Sequence, residues 1–197
     1  MTTSNPDPRA WRTVDIVVAA VISVAFGVVF VAWNAMWSFT TPLFTALPAA
    51  QAIIYGVWLL PGVLVGLVVR RPGAALFAGI LSASVSALIG SQWGADAILS
   101  GALQGGGAEV GFALFAYRRW TLPVAIGAGV LAGLGAAIHD IPIYYPDLGV
   151  NYWIVYAAAA MLSGAIIAGA GSWFLVRALA ASGVLGDFAA GREQPEV

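Results

Sequence analysis

The sequence predicts an all-α membrane protein with six transmembrane helices. Of its 197 residues, 61% are apolar and 9% are charged, and the mean hydropathy is +0.92. A soluble chain carries about 25% charged residues, so this composition excludes a soluble globular fold. The basic residues are the second observation, because all eight are arginines and they recur in short groups between apolar stretches.

Six apolar stretches approach the length that a membrane crossing needs, which is about 20 residues for a core of about 30 Å. They run over residues 14–33, 50–69, 74–90, 97–117, 122–138 and 153–176. The stretches predict a transmembrane domain over residues 14–180, with tails at 1–13 and 181–197. The first stretch follows arginines as a signal peptide does. Its apolar run exceeds a usual h-region, however, so we expect it to be retained.

The arginines indicate which loops share one side of the membrane. They lie in the N-terminal tail, the second loop, the fourth loop and the C-terminal end, as Arg9, Arg12, Arg70, Arg71, Arg118, Arg119, Arg177 and Arg192. Loops one, three and five contain none. The positive-inside rule then predicts that both termini are cytoplasmic in a multi-pass protein of the cell membrane.

Composition also excludes several classes of function. The chain has no cysteine, so a disulfide or a thiolate metal site is excluded, and its net charge of −1 argues against nucleic-acid binding. Without a lysine it cannot form a Walker A motif. The single histidine, His139 beside Asp140, is expected in a loop or gate, because no second imidazole completes a metal site. We predict no cofactor, no metal and no catalytic residue.

Small residues at four-residue spacing mark faces where helices approach closely. Such pairs are Gly101 with Gly105, Gly107 with Gly111, and Gly129 with Gly133, for which packing within the chain is the simplest interpretation. In the first span, Ala19, Ser23 and Gly27 form a strip of the same kind. We expect this strip to dock another subunit.

Glu109 is the acidic residue that we expect at the middle of the membrane. It precedes Arg118 by about 13 Å of helix. A carboxylate at that depth costs about 2.5 kcal/mol or more unless it is protonated, paired or open to water. We therefore expect Glu109 to face a ligand cavity. The alternative is a protonated side chain that hydrogen-bonds a neighbouring helix.

Polar and aromatic residues near Glu109 could complete such a cavity. Gln104 offers a donor and an acceptor to the edge of a heterocycle, and Tyr55 and Trp58 share a helix face. The loops without arginines carry three acids and many aromatic rings, a combination suited to a flat, positively charged molecule. Alternatively, these aromatic residues form an interfacial belt.

Three segments of the sequence resemble the YkoE family of substrate-binding S components of energy-coupling factor (ECF) transporters. They are 55–58 (YGVW), 71–76 (RPGAAL) and 104–109 (QGGGAE), of which the last is the most specific. The resemblance implies a subunit that binds thiamin or its hydroxymethylpyrimidine precursor from outside. It also implies two kinds of partner, a transmembrane coupling protein and two ATP-binding subunits, with Ala19, Ser23 and Gly27 in the position of a coupling strip.

Within this resemblance we assign roles to the candidate residues. Glu109 and Gln104 would bind the pyrimidine edge, and the rings would stack on Trp58, Tyr55 and either Trp37 or Trp93; further candidates are Asn34, Tyr152 and Tyr156. The choice between thiamin, hydroxymethylpyrimidine and another cationic heterocycle stays open. A channel-like oligomer, or an intramembrane enzyme that uses Glu109 as a base, is the alternative function.

Overall fold

The computed structural model describes residues 10–192, and every regular element in that range is a helix. The helices are α1 (Thr13–Thr40), α2 (Gly56–Val69), α3 (Ala74–Ile89), α4 (Asp96–Ala113), α5 (Leu122–Tyr144), α6 (Gly149–Ser163), α7 (Ser172–Ala181) and α8 (Ala189–Arg192). Two 3-10 helices, Thr41–Phe44 and Pro48–Ile54, precede α2, and a π-helical segment, Gly164–Gly171, joins α6 to α7. Arg9 and the outer parts of both predicted tails, 1–9 and 193–197, lie outside the described residues.

In the described part of the chain, four helical stretches are long and apolar enough to cross a membrane. They are Thr13–Phe44, Pro48–Val69, Leu122–Tyr144 and Gly149–Ala181. The predicted stretches 74–90 and 97–117 correspond to α3, with 16 residues, and α4, with 18 residues. The all-helical membrane architecture is confirmed, and the count of six spans remains a prediction.

Two helix ends differ from the predicted boundaries. Helix α4 ends at Ala113, because Ala116 and Tyr117 adopt left-handed φ angles of 52° and 57°. Helix α5 continues past residue 138 to Tyr144, so His139 and Asp140 are helical and buried. This corrects the expectation that His139 lies in a loop, and it brings an acidic residue into the bundle.

Glycine-mediated contacts hold the bundle together at close range. A Cβ atom at Gly101 would lie 2.6 Å from the Cβ of Ala83 on α3, and one at Gly105 would lie 2.8 Å from the carbonyl oxygen of Ala75. Gly129 and Gly133 of α5 similarly meet backbone carbonyls of the last helical stretch, Gly149–Ala181. These contacts confirm that the small-residue pairs serve packing within the chain.

The small-residue strip of α1 also packs within the chain. Ala19, Ser23 and Gly27 are all buried, and a Cβ atom at Gly27 would lie 2.5 Å from the Cβ of Val85 on α3. The absence of a side chain at Gly27 is what lets Val85 approach. This geometry corrects the expectation that the strip is a free docking surface for another subunit.

Polar contacts gather at one end of the bundle. Asp15 of α1 is fully buried and binds the guanidinium groups of Arg12, at 2.8 Å, and Arg71, at 3.3 Å. Trp11 donates to the carbonyl of Pro72 at 3.0 Å. These contacts join the start of α1 to the loop between α2 and α3.

Candidate ligand-binding site

A cavity of about 280 Å³ lies at the end of the bundle opposite the arginine-bearing loops. The helices run alternately up and down, so this end collects the last turns of α1, α3 and α5 and the first turns of α2, α4 and α6. Seven predicted site residues line the cavity: Asn34, Trp37, Tyr55, Trp58, Trp93, Gln104 and Tyr156. The structure therefore brings together predicted residues from five separate stretches of the sequence.

One wall of the cavity is aromatic. The ring of Trp58 lies 5.1 Å from that of Trp37, 4.9 Å from that of Tyr55 and 5.2 Å from that of Trp93, measured between centroids. The indole N–H of Trp58 donates to Oδ1 of Asn34 at 3.1 Å, which fixes the orientation of its ring. Such a wall offers rigid ring faces to a flat ligand.

Gln104 lies beside this aromatic wall and is almost completely buried. Its Nε2 atom donates to Ser100 Oγ at 2.6 Å and to the Tyr55 hydroxyl at 3.0 Å. Its carbonyl oxygen receives no hydrogen bond from the described residues, and Gln104 lines the cavity. Gln104 is therefore available to accept a hydrogen bond from a ligand.

Two carboxylates, those of Asp96 and Asp140, form the acidic wall of the cavity. Asp140 is 5% exposed and accepts a hydrogen bond from the Tyr156 hydroxyl at 2.5 Å, while Asp96 accepts one from the hydroxyl of Tyr144. His139 lies behind them, with Nδ1 2.7 Å from Asp140 Oδ1 and Nε2 3.3 Å from Asp96 Oδ1. The cavity is thus lined by negative groups as well as by aromatic rings.

Two tyrosines complete the surroundings of the acidic wall. Tyr145, the residue after α5, lines the cavity, and burial raises the pKa of its phenol, so the ring stays neutral at physiological pH. Tyr152 was a predicted site residue but does not line the cavity. Its ring stacks on that of Tyr156 at 6.2 Å, so Tyr152 supports a lining residue from behind.

Glu109 lies away from the cavity, and this corrects the expectation that it faces a ligand. Its carboxylate accepts hydrogen bonds from the backbone N–H groups of Gly73, at 2.6 Å, and Ala75, at 2.9 Å, and from the Tyr117 hydroxyl at 2.7 Å. These backbone groups are the free donors at the start of α3, where the helix dipole favours an anion. The carboxylate therefore stabilises a helix terminus.

The predicted site omits the acids that line the cavity. Asp96 and Asp140 belong to the three acids noted in the regions without arginines, and that shared charge pattern was the only signal for them. Their pairing through His139 depends on the continuation of α5 to Tyr144, which the hydropathy pattern does not show.

Comparisons with known proteins place these features in a family. Residues 14–135 match the family described as ABC-type cobalt transport system, permease component. The putative HMP/thiamine permease protein YkoE of Bacillus subtilis (strain 168) is 32% identical over 186 residues, which cover 94% of this chain and 92% of the relative.

A solved S-component of an ECF transporter has the same fold. It aligns with a TM-score of 0.88 and 32% identity over 93% of each chain. These relatives are transport proteins and not enzymes. The resemblance seen in the sequence is confirmed, and the chain belongs to the YkoE family of S components of ECF transporters.

Proposed function

We propose that this protein captures thiamin or its hydroxymethylpyrimidine precursor from outside the cell and delivers it inward as the binding subunit of an ECF importer. The observation that carries the proposal is a cavity lined by both aromatic rings and two carboxylates. The name of the Bacillus relative, an HMP/thiamine permease, supports the same ligand class.

The cavity offers suitable contacts to both the thiazolium ring and the pyrimidine ring of thiamin. Its positively charged thiazolium ring would be attracted by Asp96 and Asp140 and by the π faces of the tryptophans. The exocyclic amino group of its pyrimidine would donate to the free carbonyl oxygen of Gln104. The volume of about 280 Å³ is near the lower end of small-molecule pockets, so one compact ligand fills it.

An organic cation suits this cavity better than a cobalt ion, which the matched family description names. Both carboxyl oxygens of Asp140 are already engaged, one by His139 and the other by Tyr156. In the part of the chain that the structure describes, no group of three or more His, Cys, Asp or Glu residues is arranged to hold a metal ion. Aromatic rings, which are poor ligands for a divalent cation, form another part of the lining.

The proposed transport cycle depends on partners. We place six spans in the cell membrane with the arginine-bearing loops in the cytoplasm, so that the cavity opens outward. The chain lacks the lysine of a P-loop, so the energy would come from two ATP-binding subunits through a transmembrane coupling protein. With the α1 strip occupied by α3, another surface must contact the coupling protein.

Tryptophan fluorescence of the purified subunit in detergent tests ligand capture directly. Because Trp37, Trp58 and Trp93 line the cavity, bound thiamin should quench the emission in a saturable way. Hydroxymethylpyrimidine is titrated in parallel, and riboflavin, a larger vitamin, serves as a control that should give no saturable site. If neither thiamin nor hydroxymethylpyrimidine shows saturable binding, the proposed function is wrong.

A further inference from the structure

His139 occupies an unusual position, buried between the two acids of the cavity without lining the cavity itself. It is 2% exposed, and its two ring nitrogens lie 2.7 Å and 3.3 Å from carboxyl oxygens of Asp140 and Asp96. Asp96 comes from the first turn of α4 and Asp140 from α5, so the imidazole bridges two helices. A ligand in the cavity would meet the acids, and His139 would act on it through them.

The protonation state of His139 follows from these two contacts. A neutral imidazole has one N–H and one lone pair, so one ring nitrogen would direct its lone pair at a carboxylate. An imidazolium donates from both nitrogens and satisfies both acids. Two carboxylates and one imidazolium carry a net charge of −1.

The neighbouring titratable groups do not change this count. Tyr144 on α5 donates to Asp96, and Tyr156 on α6 donates to Asp140, so both phenols act as neutral donors. Tyr55, at the start of α2, accepts a hydrogen bond from Gln104 and is also a neutral phenol. Among residues 10–192, no arginine lines the cavity.

We propose that His139 is a positioning residue that stays protonated between Asp96 and Asp140 and holds the acidic wall at a net charge of −1. The consequence of this inference rests on the proposed function. It is that the charge of the empty cavity matches a ligand with one positive charge. The bridge also holds both carboxylates in place before the ligand arrives. Their negative charge is then steady around neutral pH and needs no proton exchange when a monocation binds.

Nuclear magnetic resonance can read this protonation state without any ligand. The chain contains one histidine, so a tag-free subunit labelled with ¹⁵N-histidine gives a single imidazole spectrum. We expect both ring nitrogens to have protonated shifts throughout the range from about pH 6 to 8, whereas a free histidine titrates there. A neutral tautomer at neutral pH would overturn the proposal.

The pH profile of binding separates a charge role from a structural one. In His139→Gln the two carboxylates lack their cation, so we expect one of them to take up a proton as pH falls. Thiamin binding to this variant should weaken with falling pH by up to about tenfold per pH unit, while the parent profile stays flat. Parallel profiles for the parent and His139→Gln would contradict the proposal.

The double variant Asp96→Asn/His139→Gln is the matched control, because it restores the net charge of −1 without a histidine. Its profile should be flat again, whatever its absolute affinity, and a sloped profile would count against the charge argument. If the parent has the imidazolium spectrum but binds no thiamin, the proposed function fails and the protonation inference stands. Should His139→Gln not fold, the spectrum of the parent still decides the proposal.

Discussion

The carboxylate of Glu109 on α4 accepts a hydrogen bond of 2.6 Å from the backbone N–H of Gly73, directly before α3. Ala75 and Leu76 donate to the same side chain at 2.9 Å and 3.3 Å. One carboxylate thus satisfies three of the free donors at a helix start. This contact fastens α3 to α4 at the end of the bundle that is remote from the cavity.

Replacing Glu109 with glutamine should lower stability and leave ligand binding unchanged. The glutamine amide nitrogen would face a backbone N–H donor, and the helix start would lose its negative charge. We expect a loss of about 1 to 3 kcal/mol, measured as a lower melting temperature in detergent. A variant that melts like the parent but binds thiamin much more weakly would show that Glu109 takes part in ligand binding.

Alanine substitutions at two adjacent glycines test the close contact between α3 and α4. Gly105→Ala would place a Cβ atom 2.8 Å from the Ala75 carbonyl oxygen, whereas a Cβ at Gly106 meets nothing within 4 Å. We expect Gly105→Ala to cost about 1 to 3 kcal/mol by overpacking and Gly106→Ala to be neutral or stabilising. Equal melting temperatures for the two variants would contradict the packing described here.

The strip of Ala19, Ser23 and Gly27 on α1 should stabilise the isolated subunit in the absence of any partner. Gly27→Ala would place a Cβ atom too close to Val85 and so reduce the free energy of unfolding of the isolated subunit. Each kcal/mol of that loss should lower the melting temperature by about 2 to 4 °C. Val28→Ala, at a neighbouring side chain that is 56% exposed, is the control and should change stability little. If Gly27→Ala leaves stability intact but abolishes assembly with coupling subunits, the strip is a docking surface after all.

The absence of cysteine makes the proposed topology directly measurable. A single cysteine at Asp147→Cys should react with a membrane-impermeant maleimide on intact cells, and one at Arg119→Cys only after permeabilisation. Both positions are exposed in the folded chain, and the cysteine-free parent gives the background. Labelling of Arg119→Cys on intact cells would refute the cytoplasmic placement of the arginine loops.

The sequence predicts the helices well and their polar contacts poorly. Hydropathy is a local property, so it locates the helices and the face that carries Tyr55 and Trp58. The backbone partners of Glu109 could not be predicted, because their N–H groups are more than 30 residues away and become neighbours only when α3 packs on α4. The pairing of Asp96 with His139 likewise depends on two helix ends meeting.

The most direct test of the account is isothermal titration of thiamin into Asp140→Asn, compared with the parent and with Asp147→Asn. Asp140 lines the cavity, whereas Asp147 is an exposed acid outside it. We predict that Asp140→Asn weakens thiamin binding by about 10- to 100-fold, as expected for a hydrogen bond or ion contact with a charged group. Asp147→Asn should bind like the parent. Equal affinities for all three proteins would contradict the claim that this acidic, aromatic cavity is the binding site.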